Sequence, residues 1–196
     1  EAFGRANRLR DDDSQVRSKL DEVKAYVPTP GIPAGSLVKM AKFALVMQHW
    51  IEEHELVATA VQCWTSMEEF FGVVPCTVMS MLSNSLIPAA CETDILGAIS
   101  MYALSAAAEQ PSAIVDFNNN YGDEADKCVL FHCSNLPKDL LIQEKGGGRT
   151  APLISYHDIL AGAVGQENSW GIVAGELQPG PYTYCRISSN DFAGTL

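Results

Sequence analysis

Ile87-Pro-Ala-Ala-Cys-Glu-Thr-Asp-Ile-Leu-Gly-Ala98, with Ala113-Ile-Val-Asp-Phe117 some fifteen residues on, is the stretch on which the fold turns. Ile87–Cys91 is short, apolar and bounded, the pattern of a buried strand. Thr93 or Asp94 then caps a helix that carries Ile95, Leu96, Ile99, Met101, Leu104 and Ala108. After Gln110-Pro111 the apolar run at 113–117 reads as a second buried strand. Strand, helix and strand within about 30 residues predict a βαβ unit with parallel strands.

Upstream, helical periodicity predicts a helix over 11–27, broken by Pro28-Thr-Pro-Gly31, and another from about Gly35 to His54. Val57–Trp64 reads as a buried strand, followed by helical stretches at Ser66–Phe71 and Thr77–Ser85. Downstream the character changes. Asn118–Asp126 reads as a polar loop, Lys127–Cys133 as a strand, and Leu136–Pro152 as mostly loop. Tyr156–Ala163 reads as a short helix. Trp170–Leu177 and Tyr182–Ser188 read as a hairpin joined by Gln-Pro-Gly-Pro. The expected fold class is α/β, a parallel sheet with βαβ units followed by a β-rich, antiparallel or barrel-like segment. The expected division is an α/β domain at 1–125, the middle of a longer chain, and the start of a β-rich C-terminal domain at 126–196. Glu1 is not a Met and no stop signal or helix cap precedes Leu196, which reads as a piece of a longer polypeptide.

Composition narrows the function. The 196 residues hold 47% hydrophobic and 19% charged side chains, enough apolar content to bury a core and against disorder. A net charge of −11 argues against nucleic acid, whose phosphates need clustered Lys and Arg, and against an anionic membrane surface. Phe70–Cys91 runs 22 residues without charge, but its prolines, Asn84 and serines fit a buried helix and strand better than a membrane span. Six cysteines occur with no Cys-x-x-Cys pair, which excludes a zinc ribbon and a thioredoxin-type site. With no signal peptide in view, reduced thiols and a cytoplasmic location are expected.

The chemistry is expected at the carboxyl ends of the parallel strands. Glu92 directly follows one strand and Asp116 lies near the end of the next. On neighbouring strands about 4.8 Å apart, their carboxylates would repel unless a divalent cation or a shared proton joined them. His132, toward the end of Lys127–Cys133, is a third candidate ligand. Two carboxylates and an imidazole suit Mn²⁺ or Mg²⁺ with positions left for substrate oxygens. The alternatives are plain: a first-turn acid of the next helix for Glu92, a loop-ordering acid for Asp116, a core histidine for His132. Gly146-Gly-Gly148 lacks phosphate-loop spacing and reads as a surface loop. Cys128 and Cys133 read as buried strand residues, Trp64, Trp170 and Phe117 as core, and His54 and His157 as surface or helix-end residues.

The runs Ala90-Cys-Glu-Thr-Asp-Ile-Leu-Gly-Ala98, Ala113-Ile-Val-Asp-Phe-Asn-Asn-Asn-Tyr-Gly122 and Val129-Leu-Phe-His-Cys-Ser-Asn-Leu-Pro137 together resemble the L-fucose isomerase family, most closely its fucose isomerase-like branch. L-arabinose isomerases show a looser version of the same order. Gln62-Cys-Trp64 and Glu69–Pro75 extend the resemblance over nearly the whole chain. It implies an aldose–ketose isomerase of the L-fucose/D-arabinose type that uses Mn²⁺, with Mg²⁺ or Co²⁺ as substitutes. Glu92 and Asp116 would ligate the metal and move the proton of a monosaccharide, and His132 would match a metal-ligand histidine of the arabinose isomerases. The resemblance also implies a homo-oligomer, an α/β domain ahead of this region, and a further histidine ligand that nothing in this chain matches. The alternative is a homologue that binds a sugar without turning it over.

Overall fold

The computed structural model describes residues 1–133, 135–143 and 151–188. Gly146–Gly148 lies outside them.

Three helices open the chain: α1 (Ala2–Arg8), α2 (Ser14–Tyr26) and α3 (Ala34–Glu53). The Asp13 side chain caps α2 by accepting the Gln15 N–H at 2.8 Å. Helix α3 starts directly after Pro33 and buries Leu37, Met40, Phe43, Val46, Met47 and Ile51, the face its periodicity predicts. Helices α1 and α2 pack on it through Ala6, Val16 and Val23, and Phe3 of α1 stacks on Phe71.

Next come β1 (Thr59–Ala60), α4 (Ser66–Phe71), α5 (Cys76–Asn84) and β2 (Ala89–Ala90). Strands β1 and β2 pair in parallel, Thr59 with Ala89 and Ala60 with Ala90. The fold is therefore mixed α/β with a βαβ unit, but the crossover runs through α4 and α5, one step earlier in the chain than expected. Helix α6 (Ile95–Ala108) follows β2 as predicted.

The expected second strand at 113–117 does not join β2. Instead β3 (Asp116–Tyr121) and β4 (Glu124–Phe131) form an exposed antiparallel hairpin over what reads as a polar loop. Tyr121 pairs with Glu124 around a two-residue turn whose first residue is Gly122 at φ +56°. That turn lets the polar Asn118–Asn120 run find backbone partners in β4.

The last pair is β5 (Leu153–Tyr156) with β6 (Trp170–Ala174), antiparallel, with α7 (Asp158–Val164) between them. The expected hairpin of 170–177 with 182–188 does not form. Pro179 and Pro181 remove donors a ladder needs, the Gln178 N–H goes to the Leu140 carbonyl, and the Ile187 N–H reaches the Ser100 hydroxyl on α6. The β5–β6 pair closes onto the helices: Leu141, Ile154 and Val173 sit in one apolar cluster with Ala6, Val23, Met40 and Phe71. The 125/126 position falls inside the β3–β4 hairpin. No helix among the described residues is long and apolar enough to cross a membrane.

Candidate active site

Cys91 ends β2 inside the core, and the chain leaves it through two consecutive residues in the left-handed region, Glu92 and Thr93, each at φ +59°. Such backbone is costly for side chains with a Cβ and worst for a β-branched one. Asp94 then caps α6, accepting the Gly97 N–H at 2.8 Å. The strained turn lifts Glu92 out of the core, so it stands exposed beyond the carboxyl end of a parallel strand, as expected.

Asp116 reaches the same neighbourhood by another route. It opens the β3–β4 hairpin paired with Phe131, and that register sets it beside His132, the residue that follows. Asp116 is exposed, whereas His132 is buried and its Nδ1 has no hydrogen-bond partner among the described residues. Burial alone would lower the His132 pKa. The Cys133 side chain, with the charges of Asp116 and Glu92, outweighs it and holds the imidazole above its ordinary value. Both predicted acids thus act electrostatically on the predicted histidine. The three do not close into one ligand set, however: the donor atoms lying within 4.8 Å of one another are those of Cys91, His132 and Cys133.

Behind the rim lies a buried group that the sequence does not announce. Cys63, Cys91 and Cys133 face one another, and His132 and His157 face Cys133. These neighbours push Cys133 well below the usual thiol range. Cys63 is pushed up to about 12, first by Cys133 and then by burial. Cys76, fully enclosed, is raised by burial. His157 is no surface residue. It is buried at the start of α7, its Nδ1 accepts the Leu160 N–H at 3.3 Å, and its ring meets Trp64 edge-on. With Nδ1 accepting, the proton of the neutral ring is on Nε2. Glu68 of α4 is wholly buried, neither carboxylate oxygen has a partner among the described residues, and burial pushes it up to about 7. Cys128, expected inside, is exposed on β4, and Phe117, expected in the core, is 71% exposed at the rim. Scattered spacing hides the thiol group in the sequence; the one available signal was that Cys91 and Cys133 directly flank the two candidate ligands Glu92 and His132.

In charge and donor type the residues suit a hard divalent cation, although their donor atoms are not gathered into one ligand set. Glu92 and Asp116 are exposed carboxylates, the buried His132 Nδ1 has no partner among the described residues, and oxygen donors with open positions suit Mn²⁺ or Mg²⁺.

The chain is thus mixed α/β, with one exposed acid, Glu92, past the carboxyl end of a parallel pair and a second, Asp116, at the start of an antiparallel hairpin whose other strand leads into the buried His132. No family model matches the chain. Among curated proteins it is 26% identical over 133 residues to a sulfoquinovose isomerase of Alkalicoccus urumqiensis, covering 68% of this chain and 30% of that protein. A sulfoquinovose isomerase of Priestia aryabhattai is 29% identical over 98 residues, 50% of this chain and 22% of the relative. One of Clostridium sp. is 27% identical over 119 residues, 60% and 26%. The chain spans less than a third of the length of these relatives.

Proposed function

We propose that this chain carries the acidic rim of an aldose–ketose isomerase acting on a monosaccharide. The observation that carries the reading is that Asp116 pairs with Phe131, the residue before the buried His132, while Glu92 follows the parallel strand β2, and that the charges of both acids act on the His132 ring. The names of the relatives support sugar isomerisation. They favour a sulfonated aldose such as sulfoquinovose as the first substrate to try, ahead of the L-fucose or D-arabinose type that the sequence motifs suggest.

A divalent cation held by Glu92 and Asp116, with His132 beside them, would polarise the O1 and O2 oxygens of an open-chain sugar. One of the two carboxylates takes the C2 proton as general base, leaving an enediolate, and returns that proton to C1 as general acid. The O2 proton moves to O1, so aldose becomes ketose with no external oxidant or reductant. His132, buried beside the rim, would add a neutral imidazole donor to the cation from the core side.

The test begins with calorimetric titration of Mn²⁺ into the chain beside Glu92→Gln and Asp116→Asn. Binding in the parent that both variants lose is the expected result. Mn²⁺ binding that survives both substitutions sinks the assignment. A sugar panel on the longest polypeptide containing this region, read by ketose formation, then separates sulfoquinovose from L-fucose and separates turnover from mere binding.

A further inference from the structure

We propose that Cys91, Cys133 and His132 form a binding site for a thiophilic divalent cation, Zn²⁺, distinct in its sulfur ligands from the carboxylate rim, with which it shares His132. Their donor atoms all lie within 4.8 Å of one another, two sulfurs and one ring nitrogen, from residues that flank β2 and close β4. A tetrahedral zinc site with these ligands needs donor atoms about 3.5 to 3.8 Å apart. Inward side-chain shifts of about 1 Å, well within rotamer adjustment, close that gap. A second observation points the same way: His132 is 6% exposed and its Nδ1 has no hydrogen-bond partner among the described residues. A buried imidazole nitrogen without a partner costs free energy that a metal–ligand bond would recover.

Donor chemistry separates this site from the rim. Thiolate sulfur with imidazole selects Zn²⁺ or Cd²⁺, whereas Mn²⁺ and Mg²⁺ prefer carboxylate and water oxygens. Three protein ligands leave a fourth position, filled by water or by Cys63, which lies in the same thiol group. The two sites share His132 and set two divalent charges side by side. Zn²⁺ should therefore weaken Mn²⁺ at the rim, a consequence that rests on the isomerase reading, whereas the zinc site itself does not.

Cd²⁺ is the probe, because cadmium thiolates absorb in the ultraviolet. The chain is used with Cys128→Ser and Cys185→Ser, which remove its two exposed thiols. The expected result is a saturable thiolate band that Zn²⁺ displaces. The band should disappear in Cys91→Ser and Cys133→Ser. It should persist with at least tenfold weaker affinity in His132→Gln, and remain unchanged in Glu92→Gln and Asp116→Asn. If the serine variants do not fold, mass-spectrometric alkylation of the parent replaces them, with Zn²⁺ expected to protect Cys91 and Cys133. A band that survives both serine substitutions, alkylation at these two residues indifferent to Zn²⁺, or no saturable band overturns the proposal. Mn²⁺ binding read by electron paramagnetic resonance in samples free of Zn²⁺ and Cd²⁺ reports on the rim by itself, so failure of one site is distinguishable from failure of the other.

Discussion

Glu92 reaches solvent only because two adjacent side-chain-bearing residues accept a left-handed backbone. For Thr93 the cost is of the order of 1 to 2 kcal/mol, since its branched Cβ crowds the following carbonyl. Replacing it with glycine removes that conflict. Thr93→Gly is expected to stabilise the fold by about 1 kcal/mol, less than the full strain because glycine also gains unfolded-state entropy. Thermal unfolding would record the gain. The same substitution frees the turn, so Mn²⁺ affinity at the rim should fall several-fold in calorimetry. Glu68 is the other residue-scale conflict, a buried carboxylate with no partner among the described residues, pushed up to about 7 from 4.5 for a free side chain. The folded state holds its proton more tightly than the unfolded chain, so stability is fully present below pH 4.5 and falls as pH rises toward 7. Glu68→Gln stays neutral throughout, and its melting temperature should lose that part of the decline across the window. An unchanged slope would mean that Glu68 is solvated in the folded protein.

At the scale of elements, the sequence announces whatever is set by local pattern and leaves open whatever is set by distant pairing. The apolar stripe of α3 and the start of α6 at Asp94 were legible, because periodicity and capping act within a few residues. The partner of β2 was not: Val57–Trp64 and Ala113–Phe117 read alike as short apolar runs, and only the assembled chain decides that Thr59 and Ala60 take the place. Polar Asn118–Asn120 concealed a strand for the same reason, since its stability comes from β4 and the Gly122 turn. The site follows suit. Glu92 was visible from its place after a strand, whereas Asp116 arrives through a hairpin register that spacing does not disclose. A similar long-range dependence fixes Gly171 of β6. It sits at φ +122°, a Cβ there would lie 2.7 Å from the Val74 carbonyl oxygen, and its own carbonyl accepts the Thr77 hydroxyl at 2.7 Å. Gly171→Ala combines backbone strain with overpacking, and is expected to cost about 3 kcal/mol. Chemical denaturation should show a lower midpoint with an unchanged slope, and an equal midpoint would contradict the close approach of β6 to the 74–77 turn.

Across the molecule, burial is divided unevenly, and the division predicts how the chain opens. Helix α3, α5 and β6 share one apolar cluster with α1, α2 and β5, so no part of it separates without exposing the rest. Every residue of β3 and β4 is exposed, and the hairpin's contact with the described remainder includes an aromatic edge between Phe117 and Tyr184. Protection from hydrogen exchange tracks the free energy of local opening, which is small where buried apolar contacts are few. The amides of Asp116–Phe131 should therefore exchange orders of magnitude faster than those of α3 and β6 in the isolated chain. Because Asp116 belongs to the opening unit while Glu92 follows the buried β2, metal binding at the rim must tie the hairpin down. Saturating Mn²⁺ should slow exchange across β3 and β4 while leaving α3 unchanged. Slowing spread evenly over the chain would instead mean that the cation stabilises the fold as a whole. No slowing in the hairpin would remove Asp116 from the ligand set and leave Glu92 as the only acid of the rim.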